Sequence, residues 1–217
     1  MGVTMSRHSS VRRITMRDLQ VRTDEGQPWP MVTAYDALTA GVIEQAGVPA
    51  LLVGDSAAMV VHGHDSTIPI TLDEMLPMVS AVVRGTERAL VVADLPFGSY
   101  QEGPAQALAT SARFMKEAGA HAVKLEGGQN VLPQIDALAE AGVPVIGHLG
   151  LTPQSVNLLG GYRVQGRGES GQRLLQDAKA LESAGAAAVV LEVVPAELAA
   201  SVTEVLSVPT IGIGAGA

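Results

Sequence analysis

The sequence predicts a (β/α)8 barrel, the TIM-barrel fold, in which parallel strands alternate with helices. Apolar strands and helices alternate along the chain, and the strands are continuously apolar, which is typical of parallel sheets buried on both faces. Four helix ends are each followed by glycine, a few residues and another strand. The glycines expected to close these helices in the left-handed conformation are Gly47, Gly119, Gly142 and Gly185.

Capping residues and apolar runs define the elements in order. Thr15 and Asp36 are suitable N-caps for the first two helices, and Thr71 forms a capping box with Glu74 before the third. Pro104 suits the first turn of a fourth helix. The helices predicted in this part of the chain span residues 15–21, 36–46, 72–83 and 104–118. The predicted strands start near Met31, Ala50, Ala89, Ala122, Val143, Ala188 and Pro209.

The strand count differs from that of a complete barrel, because seven strands are predicted and the fold has eight. The sequence ends just after the seventh strand, in IGIGAGA. We therefore expect the eighth βα unit to be missing from this chain. Residues 1–14 are polar and mildly basic and are predicted to be a disordered tail. Residues 15–217 are predicted to form a single barrel domain that is incomplete at its C-terminus.

Composition excludes several functional classes. The net charge of −8 argues against nucleic acid or an anionic membrane as the main partner. No apolar run approaches the roughly 20 residues of a membrane span. The absence of cysteine excludes disulfides, cysteine-based zinc sites and a cysteine nucleophile, and it fits a cytoplasmic location.

Ionisable residues lie at the ends of five consecutive predicted strands. They are Asp55, Asp94, Lys124 with Glu126, His148 and Glu192. Lys124 and Glu126 are two residues apart, so in an extended strand their side chains project from the same face. A buried charge is costly unless it has a partner. Each residue alone could be structural, but together they predict six ionisable groups at one barrel mouth.

The residue types in this set indicate their chemistry. Closely spaced acids need positive charge, and oxygen ligands favour a hard ion such as Mg²⁺. Lys124 could add positive charge or bind a substrate carboxylate. Glu192 lies in an apolar strand, where burial is expected to raise its pKa toward that of a general base. His62 and His64 could instead suggest zinc, but their loop offers no third ligand nearby.

The same residues carry a family resemblance. In chain order, the motifs are VGDSAAMVVHGHDSTIPIT, ADLPFGSY, AVKLEGG, GHLGLTPQS and LEVVP. Together they resemble the ketopantoate hydroxymethyltransferase family from about Thr15 to the C-terminus. The resemblance implies a Mg²⁺-dependent (β/α)8 barrel that assembles as a decamer of two stacked pentamers. It also implies hydroxymethyl transfer from 5,10-methylenetetrahydrofolate to 2-oxoisovalerate, which gives ketopantoate for pantothenate synthesis.

The resemblance also implies roles at the metal site. Asp55 of VGDS and Asp94 of ADLP resemble the direct Mg²⁺ ligands of the family. Glu126 of KLEGG resembles a residue that holds metal-bound water. The keto oxygen and the carboxylate of the keto acid are expected to chelate the metal.

The remaining implied roles concern the keto acid and the proton. Ser56 and Lys124 resemble groups that bind the keto acid, and Asp94 is expected to contribute to its binding through the metal. Glu192 of LEVVP resembles the base that takes the proton from C3. His148 of GHLG belongs to the substrate pocket, and its role is left open.

Two other functions are compatible with the sequence. One is a lyase or mutase of the phosphoenolpyruvate mutase/isocitrate lyase type, whose members also hold Mg²⁺ and a keto-acid enolate at a barrel mouth. The lyases of that group use a cysteine, which this chain lacks. The other is a truncated, inactive chain that acts only as an assembly partner. The missing eighth unit favours it, and the complete set of site residues argues against it.

Overall fold

Seven parallel strands form a nearly closed barrel in the computed structural model of this chain, which describes residues 12–216. The order of the strands in the sheet is their order in the chain, and each strand pairs with its sequence neighbours. Within the described residues, the first and last strands do not pair with each other. The strands are β1 (Met31–Thr33), β2 (Ala50–Val53), β3 (Leu90–Asp94), β4 (Ala122–Glu126), β5 (Val145–Gly150), β6 (Ala188–Glu192) and β7 (Thr210–Ile213).

Helices cover the outer face of the sheet and connect the strands. The predicted caps are confirmed, because Thr15, Asp36 and Thr71 each accept a hydrogen bond from the first turn of their helix. The four predicted helix-closing glycines all have positive φ. The helices are α1 (Met16–Asp24), α2 (Ala37–Gln45), α3 (Ala57–Val60), α4 (Leu72–Arg84), α5 (Pro104–Arg113), α6 (Leu132–Glu140), α7 (Val156–Leu159), α8 (Glu169–Ser183) and α9 (Ala196–Val205).

Some boundaries differ from those predicted. The α-helical pattern of α5 ends at Arg113 and continues as a single π-helical turn, Phe114–Ala118, which Gly119 closes in the left-handed conformation. Strand β5 starts at Val145, two residues later than expected, because Pro144 has no N–H to donate to a strand ladder. The short helices α3 and α7 were not predicted, since four residues are too few to show a helical period.

The predicted disordered tail, residues 1–14, is too long at its C-terminal end. Residues 1–11 lie outside the described residues. Arg13, however, donates hydrogen bonds to Thr86 Oγ1 at 2.8 Å and to the carbonyl of Ala89 at 2.9 Å, and Ile14 N donates to the carbonyl of Arg88 at 2.7 Å. These contacts attach the segment before α1 to the chain entering β3. The single incomplete domain over residues 15–217 stays a prediction.

The described helices are short compared with a membrane span. The longest of them, α8, has 15 residues, whereas a span needs roughly 20 apolar residues. Within residues 12–216, no helix combines the length and the apolar character needed to cross a bilayer.

Alternating strand residues build two separate apolar layers. Every second strand residue packs against the helices. The residues between them fill the barrel interior above α1, which contributes Met16 and Leu19. The interior strand residues are Ala50, Leu90, Val92, Ala122, Ile146, Ala188 and Val190. The ionisable strand residues lie an even number of positions from these interior residues, so they share the interior face, and they lie nearer the carboxyl ends of the strands. They therefore form the next layer of the barrel interior, at its mouth.

Candidate active site

The carboxyl ends of neighbouring strands bring the predicted site residues to one cavity of about 300 Å³. Asp55 follows β2 after Gly54, whereas the other ionisable residues belong to β3, β4, β5 and β6. The predicted convergence at one mouth is confirmed, while the role of each residue stays a prediction. The predicted site residues that line the cavity are Asp55, Ser56, Asp94, Lys124, Glu126, His148 and Glu192.

Lys124 lies at the centre of the charged cluster and is only 3% exposed. Its Nζ is 2.8 Å from Asp94 Oδ1, 3.9 Å from Glu126 Oε1 and 3.2 Å from His148 Nδ1. Burial lowers the pKa of the lysine, but the negative charges of Asp94, Glu126 and Asp55 outweigh it and raise the pKa overall. Lys124 therefore stays charged and offsets part of the buried negative charge.

Asp55 and Asp94 are buried side by side and, when both are ionised, carry more negative charge than Lys124 balances. Burial, and next the charge of Asp94, raises the pKa of Asp55 to about 8, although Lys124 opposes the shift. Burial also raises the pKa of Asp94. Asp55 N donates to Asp94 Oδ2 at 3.2 Å, which fixes the two residues relative to each other. A divalent cation would relieve this repulsion, and carboxylate oxygens are the donors that Mg²⁺ prefers.

The donor set fits a cation held mainly by two aspartates. Among residues 12–216, no group of three or more histidine, aspartate or glutamate side chains has the arrangement of a ready ligand set. The roles of Asp55 and Asp94 as direct ligands and of Glu126 as an indirect one stay predictions. The zinc hypothesis gains no support within the described residues, although the rings of His62 and His64 stack with centroids 6.3 Å apart.

His148 lies between two carboxylates at the barrel mouth and is 2% exposed. Its Nε2 is 3.2 Å from Glu192 Oε2, and its Nδ1 is 3.5 Å from Glu126 Oε1. Burial and the charge of Lys124 lower the pKa of the imidazole, but hydrogen bonding to Glu126 and Glu192 raises it overall. His148 Nε2 therefore lies within ion-pair distance of the Glu192 carboxylate.

Glu192 retains contact with the cavity, because 20% of its side chain is exposed. Its carboxylate is therefore less buried than expected for a residue in an apolar strand. The next residue, Val193, has a φ of 49°, the only positive φ of a non-glycine residue within residues 12–216. This conformation is costly for a β-branched residue. Hydrogen bonds from Val193 N to Ile213 O and from Gln165 N to Val193 O hold it in place.

Gly150 fixes the end of β5 against the end of β6. It is paired with Glu192 in the sheet register and has a φ of 94°. A Cβ at this position would collide with the carbonyl oxygen of Glu192, so only glycine allows this approach. The Leu151 N–H then donates to that same carbonyl at 2.8 Å. The backbone carbonyl of the candidate base is thus held by the residues that end β5.

Three uncharged residues that sequence reasoning did not select complete the polar contacts. Gln154 is buried and donates from Nε2 to Asp55 Oδ2 at 2.9 Å. Tyr100 donates to Gln154 Oε1 at 2.8 Å, and burial, followed by the charge of Glu126, raises the pKa of its hydroxyl, which stays protonated. Tyr35 and Ser56 share a hydrogen bond of 2.8 Å. The only available signal was that Tyr100 and Gln154 belong to the motifs ADLPFGSY and GHLGLTPQS.

Comparison with known proteins identifies the family of this chain. Residues 13–217 match the family described as ketopantoate hydroxymethyltransferase. A Thermobifida fusca protein named 3-methyl-2-oxobutanoate hydroxymethyltransferase is 65% identical over 209 residues, which cover 96% of this chain and 75% of that protein. A Streptomyces coelicolor protein of the same name is 62% identical over 206 residues, covering 94% of this chain and 70% of that protein.

Solved structures with the same fold are more distant in sequence. A phosphonopyruvate hydrolase in complex with oxalate and Mg²⁺ has a TM-score of 0.70 at 17% identity, covering 92% of this chain and 72% of that one. A 2,3-dimethylmalate lyase of the PEP mutase/isocitrate lyase superfamily has a TM-score of 0.65 at 20% identity, with the same coverages. These likenesses confirm the barrel fold alone. Given the family match and the relatives above 60% identity, the chain is an enzyme that belongs to the ketopantoate hydroxymethyltransferase family.

Proposed function

We propose that this chain transfers a hydroxymethyl group from 5,10-methylenetetrahydrofolate to 2-oxoisovalerate with Mg²⁺ as cofactor. The product is ketopantoate, and the reaction is the first step of pantothenate and coenzyme A synthesis. The observation that carries the proposal is the cavity in which Asp55, Asp94 and Lys124 face Glu192. The highly identical relatives, which carry the name of this activity, support the choice of reaction.

The charged residues that line the cavity are assigned to binding of the metal and the keto acid. Mg²⁺ held by Asp55 and Asp94 would supply Lewis acidity toward the keto acid, which makes the hydrogen on C3 more acidic. Lys124 stays positively charged and, with Ser56, is placed to bind the keto-acid carboxylate. The apolar wall of the cavity, which includes Leu52 and Val190, suits the branched alkyl end of the substrate.

Proton transfer is assigned to Glu192, which faces the cavity and lies 3.2 Å from His148 Nε2. Its carboxylate takes the proton from C3, and the carbon forms a bond to the one-carbon unit of the folate donor. Tetrahydrofolate leaves, and water supplies the hydroxyl oxygen overall. A positioned general base of this kind contributes about 10²- to 10⁴-fold to the rate.

We infer a homo-oligomer, a decamer of two stacked pentamers, from the family resemblance. The outer face of α2 is compatible with subunit contacts, because Leu38 is 80% exposed and Val42 is 59% exposed. A cytoplasmic location and the absence of nucleic-acid and membrane partners stay predictions.

A turnover assay tests the proposed function. The chain is incubated with 2-oxoisovalerate and 5,10-methylenetetrahydrofolate, with Mg²⁺ or with excess EDTA, and the products are followed by NMR. We expect ketopantoate to form only with the folate donor and Mg²⁺. Cleavage of a keto acid without folate would instead support the lyase or mutase hypothesis. A folded chain that binds Mg²⁺ and the keto acid without turnover would support the assembly-partner hypothesis.

A further inference from the structure

Gln154 bonds two of the carboxylates that line the cavity, Asp55 and Glu126. It lies in a 3₁₀ turn, Pro153–Ser155, after β5, and it is 4% exposed. Its side-chain amide donates to Asp55 Oδ2 and to the carbonyl of Leu95, both at 2.9 Å. Its backbone N–H donates to Glu126 Oε2 at 3.0 Å. One residue therefore bonds two carboxylates that come from opposite sides of the charged cluster.

The orientation of the Gln154 amide is determined by its neighbours. Both N–H bonds of Nε2 go to acceptors, the Asp55 carboxylate and the Leu95 carbonyl. Its Oε1 accepts from the Tyr100 hydroxyl at 2.8 Å and from Gln101 Nε2 at 3.2 Å. Exchanging O and N would place donors against donors and acceptors against acceptors. The amide is fixed in one orientation.

Gln154 contacts only one oxygen of each of these two carboxylates. Within residues 12–216, no hydrogen bond reaches Asp55 Oδ1, and Asp55 lines the cavity. Glu126 Oε1 is turned toward Lys124 and His148, at 3.9 and 3.5 Å. The hydrogen bonds of Gln154 thus leave Asp55 Oδ1 on the cavity side and hold Glu126 Oε1 on the side of Lys124 and His148.

We propose that Gln154 is a positioning residue that orients Asp55 and Glu126 for a divalent cation, with Tyr100 holding its amide in place. This inference rests on the proposed function, because it assigns a cation to the same cavity. Outer partners of metal ligands act by restricting ligand orientation, and their loss typically costs 10- to 100-fold in metal affinity. Gln154 has the contacts of such a partner for two acids at once.

The test compares Gln154→Met with a matched control, Gln134→Met, in the full chain. Gln134 is also a buried glutamine, 5% exposed, but its amide donates to the backbone carbonyl of Tyr100 at 3.2 Å and contacts no site carboxylate. Mn²⁺ is the probe, and its binding is titrated by electron paramagnetic resonance without substrate. We expect Gln154→Met to weaken Mn²⁺ binding about 10- to 100-fold and Gln134→Met to leave it unchanged.

A second variant keeps the inference testable if Gln154→Met does not fold. Tyr100→Phe removes the hydroxyl that holds Gln154 Oε1 and is expected to weaken Mn²⁺ binding in the same direction by a smaller factor. Unchanged Mn²⁺ affinity in the folded Gln154 variant, or equal losses in both glutamine variants, would overturn the inference. If only Tyr100→Phe folds, unchanged affinity there would overturn it. Failure of the unsubstituted chain to bind Mn²⁺ would instead remove the proposed function as well.

Discussion

Replacing Glu192 with glutamine is expected to lower kcat by about 10²- to 10⁴-fold, the usual contribution of a general base. The amide has nearly the same size as the carboxylate but cannot take a proton from C3. Binding of Mg²⁺ and 2-oxoisovalerate should persist, because the groups assigned to bind them, Asp55, Asp94 and Lys124, remain in place. Steady-state kinetics and calorimetric titration of both ligands measure the two effects separately.

The control for this variant is Glu197→Gln. Glu197 is an exposed glutamate in the first turn of α9, five residues further along the chain, and it does not line the cavity. It should keep normal turnover. Weaker metal binding by Glu192→Gln would show that Glu192 belongs to the cation site and that its assignment as the base is wrong.

Replacing Asp94 with alanine is expected to weaken Mg²⁺ and keto-acid binding together. Asp94 is 1% exposed, lies beside Asp55 and makes the 2.8 Å ion pair with Lys124. Its loss removes a proposed metal ligand and also the carboxylate that positions Lys124, the residue proposed to bind the substrate carboxylate. The fall in Mg²⁺ affinity should exceed the roughly 100-fold that losing an outer partner of a metal ligand can cost. Calorimetry with each ligand, alone and in the presence of the other, tests this coupling.

Two further variants make the Asp94 result specific. Asp94→Asn keeps an oxygen donor and the side-chain shape, so its affinity loss should be intermediate. Asp136→Ala removes an exposed aspartate on α6 that does not line the cavity, and it should bind both ligands normally. Unchanged keto-acid affinity in Asp94→Ala would contradict a substrate whose binding depends on the metal.

Much of the fold and of the ionisable site could be predicted because strand periodicity is simple. In a barrel, an inward-facing residue near the carboxyl end of a strand must lie at the barrel mouth. Asp94, Lys124 and Glu126 follow this rule, and their convergence is confirmed. Glycine after a helix end was similarly informative, because the left-handed conformation is costly for other residues.

The site residues that were not predicted lie in loops, where no regular spacing relates the position of a residue in the chain to the direction of its side chain. Gln154 and Tyr100 are uncharged, and a polar loop residue gives no sequence sign that it is buried. Their roles depend on contacts such as the one between Gln154 and Asp55, which are 99 residues apart. The strain at Val193 and the attachment of Arg13 to Thr86 are also set by tertiary contacts.

The most direct test of the proposed chemistry is deuterium uptake at C3 of 2-oxoisovalerate in D₂O, followed by NMR with Mg²⁺ and without folate. The measurement requires the cation, the base and the keto acid to meet in the cavity, and it does not depend on the folate site. We predict exchange that needs Mg²⁺ and disappears in Glu192→Gln. Absence of exchange by a folded chain that binds both Mg²⁺ and the keto acid would contradict proton removal at this site.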